Sequence, residues 1–125
     1  MWDERYDQPD YVFGTEPNQF LASQAELLSP GQSVLTVADG EGRNSVWLAS
    51  RGLDVTAFDA SSVGLDKARR LAAAKGVTVD YRLSSIEDWD WTQDRFDVVA
   101  AIFIQFAPPD LRAKIFDGIR QTLKP

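Results

Sequence analysis

The 125 residues suffice for one domain with a real core but are few for an open α/β enzyme. An apolar fraction of 44% and a charged fraction of 26% are those of a globular protein, and a net charge of −6 without a basic cluster argues against a nucleic-acid partner. The chain has neither Cys nor His, which excludes disulfides, thiolate nucleophiles, imidazole acid–base catalysis and any metal held by those side chains.

Residues 1–17 read as an aromatic arm. Trp2, Tyr6, Tyr11 and Phe13, with Phe20 just beyond, sit among acids, prolines and a glycine without a clear period. Such an arm either packs its rings on the domain or closes over a pocket as a lid. Its first ten residues are polar and acidic, unlike a secretory signal, and no apolar run approaches the roughly 20 residues of a membrane span. No membrane partner is expected, and a cytoplasmic location is the default.

A helix is predicted from about Asn18 to Leu28, with Leu21, Ala25 and Leu28 on one face and Ser29-Pro30-Gly31 as its stop. Strand one spans Ser33 to Ala38 and runs into a glycine bend, and a helix over roughly Asn44 to Arg51 follows. Gly52 is placed to end that helix, with Leu53 as the apolar residue beyond it. Strand two is Asp54 to Phe58, ending at Asp59. Ser61 or Ser62 caps a helix that closes at Gly76 and whose apolar face is Val63, Leu65, Ala68, Leu71 and Ala72.

Strand three, Thr78 to Leu83, alternates Val79, Tyr81 and Leu83. Ser84 to Asp94 is a polar loop whose Trp89 and Trp91 are expected to pack rather than to stack on a ligand. Strand four, Phe96 to Phe103, is apolar apart from Asp97, as a strand covered on both faces should be. Pro108 to Lys124 repeats Leu111, Ile115, Phe116, Ile119 and Leu123 at helical spacing. Strands alternating with helices argue a Rossmann-like, doubly wound parallel sheet. Its expected strand order is 3-2-1-4. With four strands and an end at Pro125, immediately after a helix, a single domain incomplete on its C-terminal side is expected, and with it self-association through the open edge of strand four.

The chemistry-bearing residues gather at the carboxyl ends of these strands. Gly40 and Gly42 let a backbone pass close to a ligand, although Ser45 stands where a dinucleotide fingerprint has its third glycine. Asp59 follows Gly42 by 17 residues and ends strand two, where a carboxylate can accept hydrogen bonds from a ribose diol. Ile86 can wall a base after strand three. The exit of strand four, from Ala101 through Gln105 to Pro109, faces the glycine bend across the switch point.

Taken in order, VLTVADGEGRN (Val34 to Asn44), FDAS (Phe58 to Ser61), FDVVAAIFIQF (Phe96 to Phe106) and the closing LKP resemble the motifs of class I S-adenosylmethionine-dependent methyltransferases. With its amino-terminal arm the chain is similar to the small enzymes akin to tellurite-resistance and thiopurine methyltransferases. The resemblance implies that S-adenosylmethionine binds, with S-adenosylhomocysteine as product, and that a small molecule accepts the methyl group. It implies a cofactor site made of Ala38, Asp39, Gly40, Gly42 and Asn44, of Asp59 and Ala60 for the ribose, of Ser85 and Ile86 for the adenine, and of Ala101 and Ile102 near the methyl group. No metal and no catalytic residue is implied.

The pattern is not matched everywhere. Thr36 stands where the family usually has an acid, Ala38 where it has glycine, and Ser85 where it often has an acid. Asp39 lies at a position generally small, and is expected to meet the ligand's ammonium group in place of the acid missing at Thr36. Two other functions stay open on the residues alone: a methyltransferase-like binding or assembly module without turnover, and an NAD-dependent oxidoreductase.

Overall fold

The computed structural model describes residues 19–101 and 108–125. The arm of residues 1–17, together with Ile102 and Gln105, lies outside the described residues. Four parallel strands form one sheet: β1 (Ser33–Val37), β2 (Asp54–Asp59), β3 (Asp80–Leu83) and β4 (Val98–Ala100). Their spatial order is β3-β2-β1-β4, the expected Rossmann-like arrangement. The helices are α1 (Gln19–Ser23), α2 (Arg43–Ser50), α3 (Ser62–Lys75) and α4 (Pro109–Thr122).

Central β1 is buried at all five positions, which is why it reads as a nearly unbroken apolar run. Strand alternation then sorts its side chains between two cores. Val34 sits opposite Val55 and packs with Leu21, Leu48 and Leu53. Leu35 and Val37 face the other way, with Phe58, Trp91, Phe96 and Ile115.

Local chemistry sets the helix ends. Ser61 Oγ accepts the Gly64 N–H at 3.0 Å and starts α3. The chain leaves α2 at Gly52, where the Leu53 N–H reaches back to the Leu48 carbonyl, and it leaves α3 at Gly76 in the same way, with Val77 bonded to Ala72. Asp97, the one charge near the start of β4, has a structural task. Its Oδ2 accepts the Ser33 N–H at 2.8 Å, which holds the carboxyl below its usual range and ties the start of β1 to β4.

Several boundaries differ from the sequence reading. The first helix stops at Ser23, and Ala25–Leu27 continues as a 3₁₀ turn, the tighter geometry common at helix ends. β1 ends at Val37 because Ala38 leaves the extended region. β3 starts only at Asp80, the residue that meets its first partner Thr56 on β2, and beyond α3 its Leu83 is 62% exposed. In α4 the buried positions are Ile115, Gly118 and Thr122, so Phe116 falls beside the inward stripe and is 51% exposed. Leu123 is not helical either. It forms a parallel bridge with Phe96, on the side of β4 away from β1.

No helix separates β3 from β4; the tryptophan loop covers that face instead. Trp89 stacks on Phe58 with ring centroids 4.3 Å apart and planes 7° from parallel, while Trp91 meets Phe58 edge-on at 6.1 Å. Both rings pack, as the sequence reading expects. Trp91 is seated directly on Gly118 of α4, where a Cβ would overlap three atoms of its ring. Gly118→Ala should therefore destabilise the fold by about 1–3 kcal/mol through overpacking, although alanine is the better helix former. Urea unfolding with an unchanged m-value measures it.

Candidate functional site

Between β1 and α2 the chain turns sharply, with positive φ at Ala38 (52°), Gly40 (65°) and Gly42 (94°). At Ala38 a side chain occupies left-handed backbone, at a cost of about 1–2 kcal/mol. That is the position where the motif resembled has glycine. Gly42 is required for a second reason, because a Cβ there would lie 2.7 Å from the Ala68 Cβ and 2.9 Å from its Cα. α2 and α3 approach each other through that gap.

Two carboxylates flank the turn. Asp59 is buried at the end of β2, and one backbone donor fixes each of its oxygens: Gly40 N–H on Oδ1 at 3.1 Å and Ser61 N–H on Oδ2 at 3.0 Å. These two donors define the plane of the carboxylate. The bond from Gly40 makes the glycine turn and the acid one unit. The Asp39 N–H donates to the Phe58 carbonyl at 3.1 Å and carries the β1–β2 ladder into the turn.

Asp39 turns its own side chain toward α2. Its Oδ1 accepts the Ser45 N–H at 3.2 Å and its Oδ2 accepts the Ser45 hydroxyl at 2.6 Å. Burial pushes the Asp39 carboxyl up to about 6; the two bonds from Ser45 oppose that push, and the nearby charge of Asp59 adds to it. Ser45 is completely buried and lies 2.9 Å from the Tyr81 hydroxyl of β3. Read in sequence, Ser45 is a missing glycine. In the fold it is the hub that joins the turn, α2 and β3.

Glu41 and Lys67 form a second buried connection, with Nζ and Oε2 2.5 Å apart and both side chains 3% exposed. The signal for it was present in α3. Gly64, Lys67, Ala68 and Leu71 share one stripe at helical spacing, so the lysine stands on the inward face.

The other expected residues are arranged around this junction. The Ser84 N–H donates to the Asp59 carbonyl at 3.0 Å, which starts the Ser85–Ile86 segment beside the acid. Ile86 is half-buried against the Phe58 cluster, and the Ser85 hydroxyl accepts the Asp88 N–H at 3.1 Å. Asn44 is buried in the first turn of α2, Ala60 is exposed just after Asp59, and Ala101 packs against the Phe58 cluster at the end of β4. The Thr36 hydroxyl, near the end of β1, is buried beside the Asp39 carboxyl, whose charged form it favours.

A cleft of about 410 Å³ opens elsewhere, between β2, β3 and the tryptophan loop, and Asp80, Arg82, Trp89 and Arg95 help to line it. Of the residues around the junction, Ser84 alone among those described above borders it. Among the described residues no cluster of acidic side chains could hold a metal, and no helix is long and apolar enough to cross a membrane.

Residues 34–125 match the family described as a methyltransferase domain. The ubiquinone biosynthesis O-methyltransferase of Actinobacillus pleuropneumoniae serotype 7 is 35% identical over 101 residues, covering 76% of this chain and 42% of that protein. The protein of the same name from Pasteurella multocida is 31% identical over 135 residues, covering 99% of this chain and 55% of that one. The chain thus spans about half the length of the curated relatives it matches. Among solved structures, a TehB-like SAM-dependent methyltransferase from Corynebacterium glutamicum superposes with a TM-score of 0.70 at 18% identity, covering 82% of this chain and 55% of that chain.

Proposed function

We propose a function from this premise: the chain belongs to the methyltransferase domain family. It supplies the S-adenosylmethionine-binding portion of an enzyme that transfers a methyl group to a small-molecule acceptor. The observation that carries this reading is the bond from the Gly40 N–H to Asp59, which presents a fixed carboxylate beside a close-approach turn. Asp59 accepts the ribose hydroxyls, next to Ala60. The turn from Ala38 through Gly40 to Gly42, with Asn44 behind it, runs along the methionine portion. Ser85 and Ile86 flank the adenine, and Ala101 serves the methyl end of the cofactor, a role the resemblance also gives to Ile102.

When bound, the cofactor supplies an electrophilic methyl on a sulfonium. The protein's part is to hold it and align it with the acceptor, which accounts for an enzyme portion without His or Cys. By analogy with the relatives named O-methyltransferases, the acceptor atom is an oxygen. The cytoplasm is the compartment of this reaction, which cell fractionation tests. The chief rival is a binding module without turnover, and the left-handed alanine at position 38 favours it by narrowing the turn. Methyl transfer by the protein separates the two.

Asp59→Asn keeps the size of the side chain but replaces an acceptor with a donor. It should weaken S-adenosylhomocysteine binding by roughly 10- to 100-fold, the worth of charge-assisted hydrogen bonds. Unchanged affinity in calorimetry would remove Asp59 from the site. The outer edge of β4 carries only the Phe96–Leu123 bridge among the described residues. The 125-residue chain should self-associate through Val98–Ala100, and a sedimentation experiment that finds only monomer at high concentration would contradict this.

A further inference from the structure

Asp39, Ser45 and Tyr81 come from the turn after β1, from α2 and from β3, and they meet in one hydrogen-bonded chain. Its polarity follows from proton count. Ser45 has a single O–H, which at 2.6 Å goes to Asp39 in preference to the Gly42 carbonyl at 3.2 Å. The Tyr81 O–H then donates to Ser45. Past Asp39 the peptide leads directly to Gly40, whose N–H holds Asp59. A side chain on the edge strand is thereby linked to the ribose acid through one serine, one carboxylate and one peptide.

We propose that Tyr81 and Ser45 are positioning residues for cofactor binding, acting through ionised Asp39 to keep the Gly40 N–H on Asp59. The inference rests on the reading of Asp59 as the ribose acceptor. It gives Asp39 a task beneath the turn, instead of direct contact with the ligand's ammonium group. It also makes binding depend on pH. Burial places the Asp39 carboxyl near 6, and once protonated it cannot accept from Ser45 on both oxygens. Among the described residues the other ionisable groups at the junction are Asp59 on β2, which pushes Asp39 up, Tyr81 on β3, reached through Ser45, and the mutually paired Glu41 and Lys67.

The test is calorimetric titration between pH 5 and 8 with two probes. S-adenosylhomocysteine carries the ammonium group; 5′-methylthioadenosine has the same ribose and lacks it. Both should bind about tenfold more weakly at pH 5 than at pH 7, the factor set by protonation of a group near 6. Asp39→Asn should abolish that difference for both probes. Tyr81→Phe, which removes one donor and keeps the ring, should weaken both about fivefold and move the midpoint to higher pH; Ser45→Ala should do the same more strongly. If Asp39→Asn weakens only S-adenosylhomocysteine, the carboxylate meets the ammonium group and the inference is overturned. A midpoint that Tyr81→Phe leaves in place also overturns it. Binding of neither probe at any pH overturns the cofactor reading, and this inference with it.

Discussion

Replacing Lys67 with Met should lower the stability of the fold by about 3–5 kcal/mol, the cost of removing one partner of a buried charge pair. Glu41 lies in the glycine turn and Lys67 in the middle of α3, each almost fully enclosed, and their contact pins the turn against the helix. The methionine fills the same channel without a charge. The carboxylate of Glu41 then keeps its desolvation cost and loses the ammonium group that offset it. The pair itself is not expected to be a large net source of stability, since enclosing two charges costs nearly what their attraction returns. Glu41→Gln combined with Lys67→Met should therefore recover most of the loss. The experiment is urea unfolding of the two single variants and the double variant. A single-variant loss below about 1 kcal/mol, the range of exposed pairs, would show that water reaches this site.

Gly42→Ala should cost about 2–5 kcal/mol, the sum of a left-handed backbone penalty of about 1–2 and an overpacking cost of about 1–3. The neighbour that the new methyl meets is decisive. At 2.9 Å it is the Cα of Ala68, part of the α3 backbone, which cannot rotate aside as a flexible side chain would. Gly31 provides the control. It too has a positive φ, 89°, but a Cβ there would meet nothing within 4 Å. Gly31→Ala should show the backbone penalty alone, and the difference between the two variants measures the packing of α2 on α3. Equal losses would mean that the helices move apart at little cost.

Much of this architecture is legible in the sequence, for one physical reason. Strands covered on both faces must be apolar at consecutive positions, so Val34–Val37 and Val98–Ala100 stand out, and the alternation with capped helices then implies parallel order. The position of Asp59 is equally legible, because the strand pattern alone puts an acid at the end of β2, beside the glycine turn that follows β1. Phe116 shows where periodicity falls short. Two adjacent apolar residues, Ile115 and Phe116, satisfy the same helical template, and only the seat offered by Trp91 decides that Ile115 and Gly118 point inward.

The least legible features are polar. Ser45 reads as a defect in a glycine pattern because its partners Asp39 and Tyr81 lie 6 and 36 residues away in the chain. No local rule connects three such positions. Lys67 is not singled out by the sequence, although it stands on the inward stripe of α3. Ala38 is the reverse case, a residue whose departure from glycine is visible in sequence but whose cost appears only with its φ of 52°. Buried polar contacts are few and depend on direction, so they follow from the fold rather than announce it.

Holding S-adenosylmethionine is the task proposed for the turn from Ala38 to Gly42 together with the acid at Asp59. Calorimetric titration of the protein with S-adenosylmethionine, S-adenosylhomocysteine and NAD tests it most directly. Saturable one-to-one binding of the first two, with no heat from NAD, is the predicted result. Binding of NAD, or of none of the three, would contradict it.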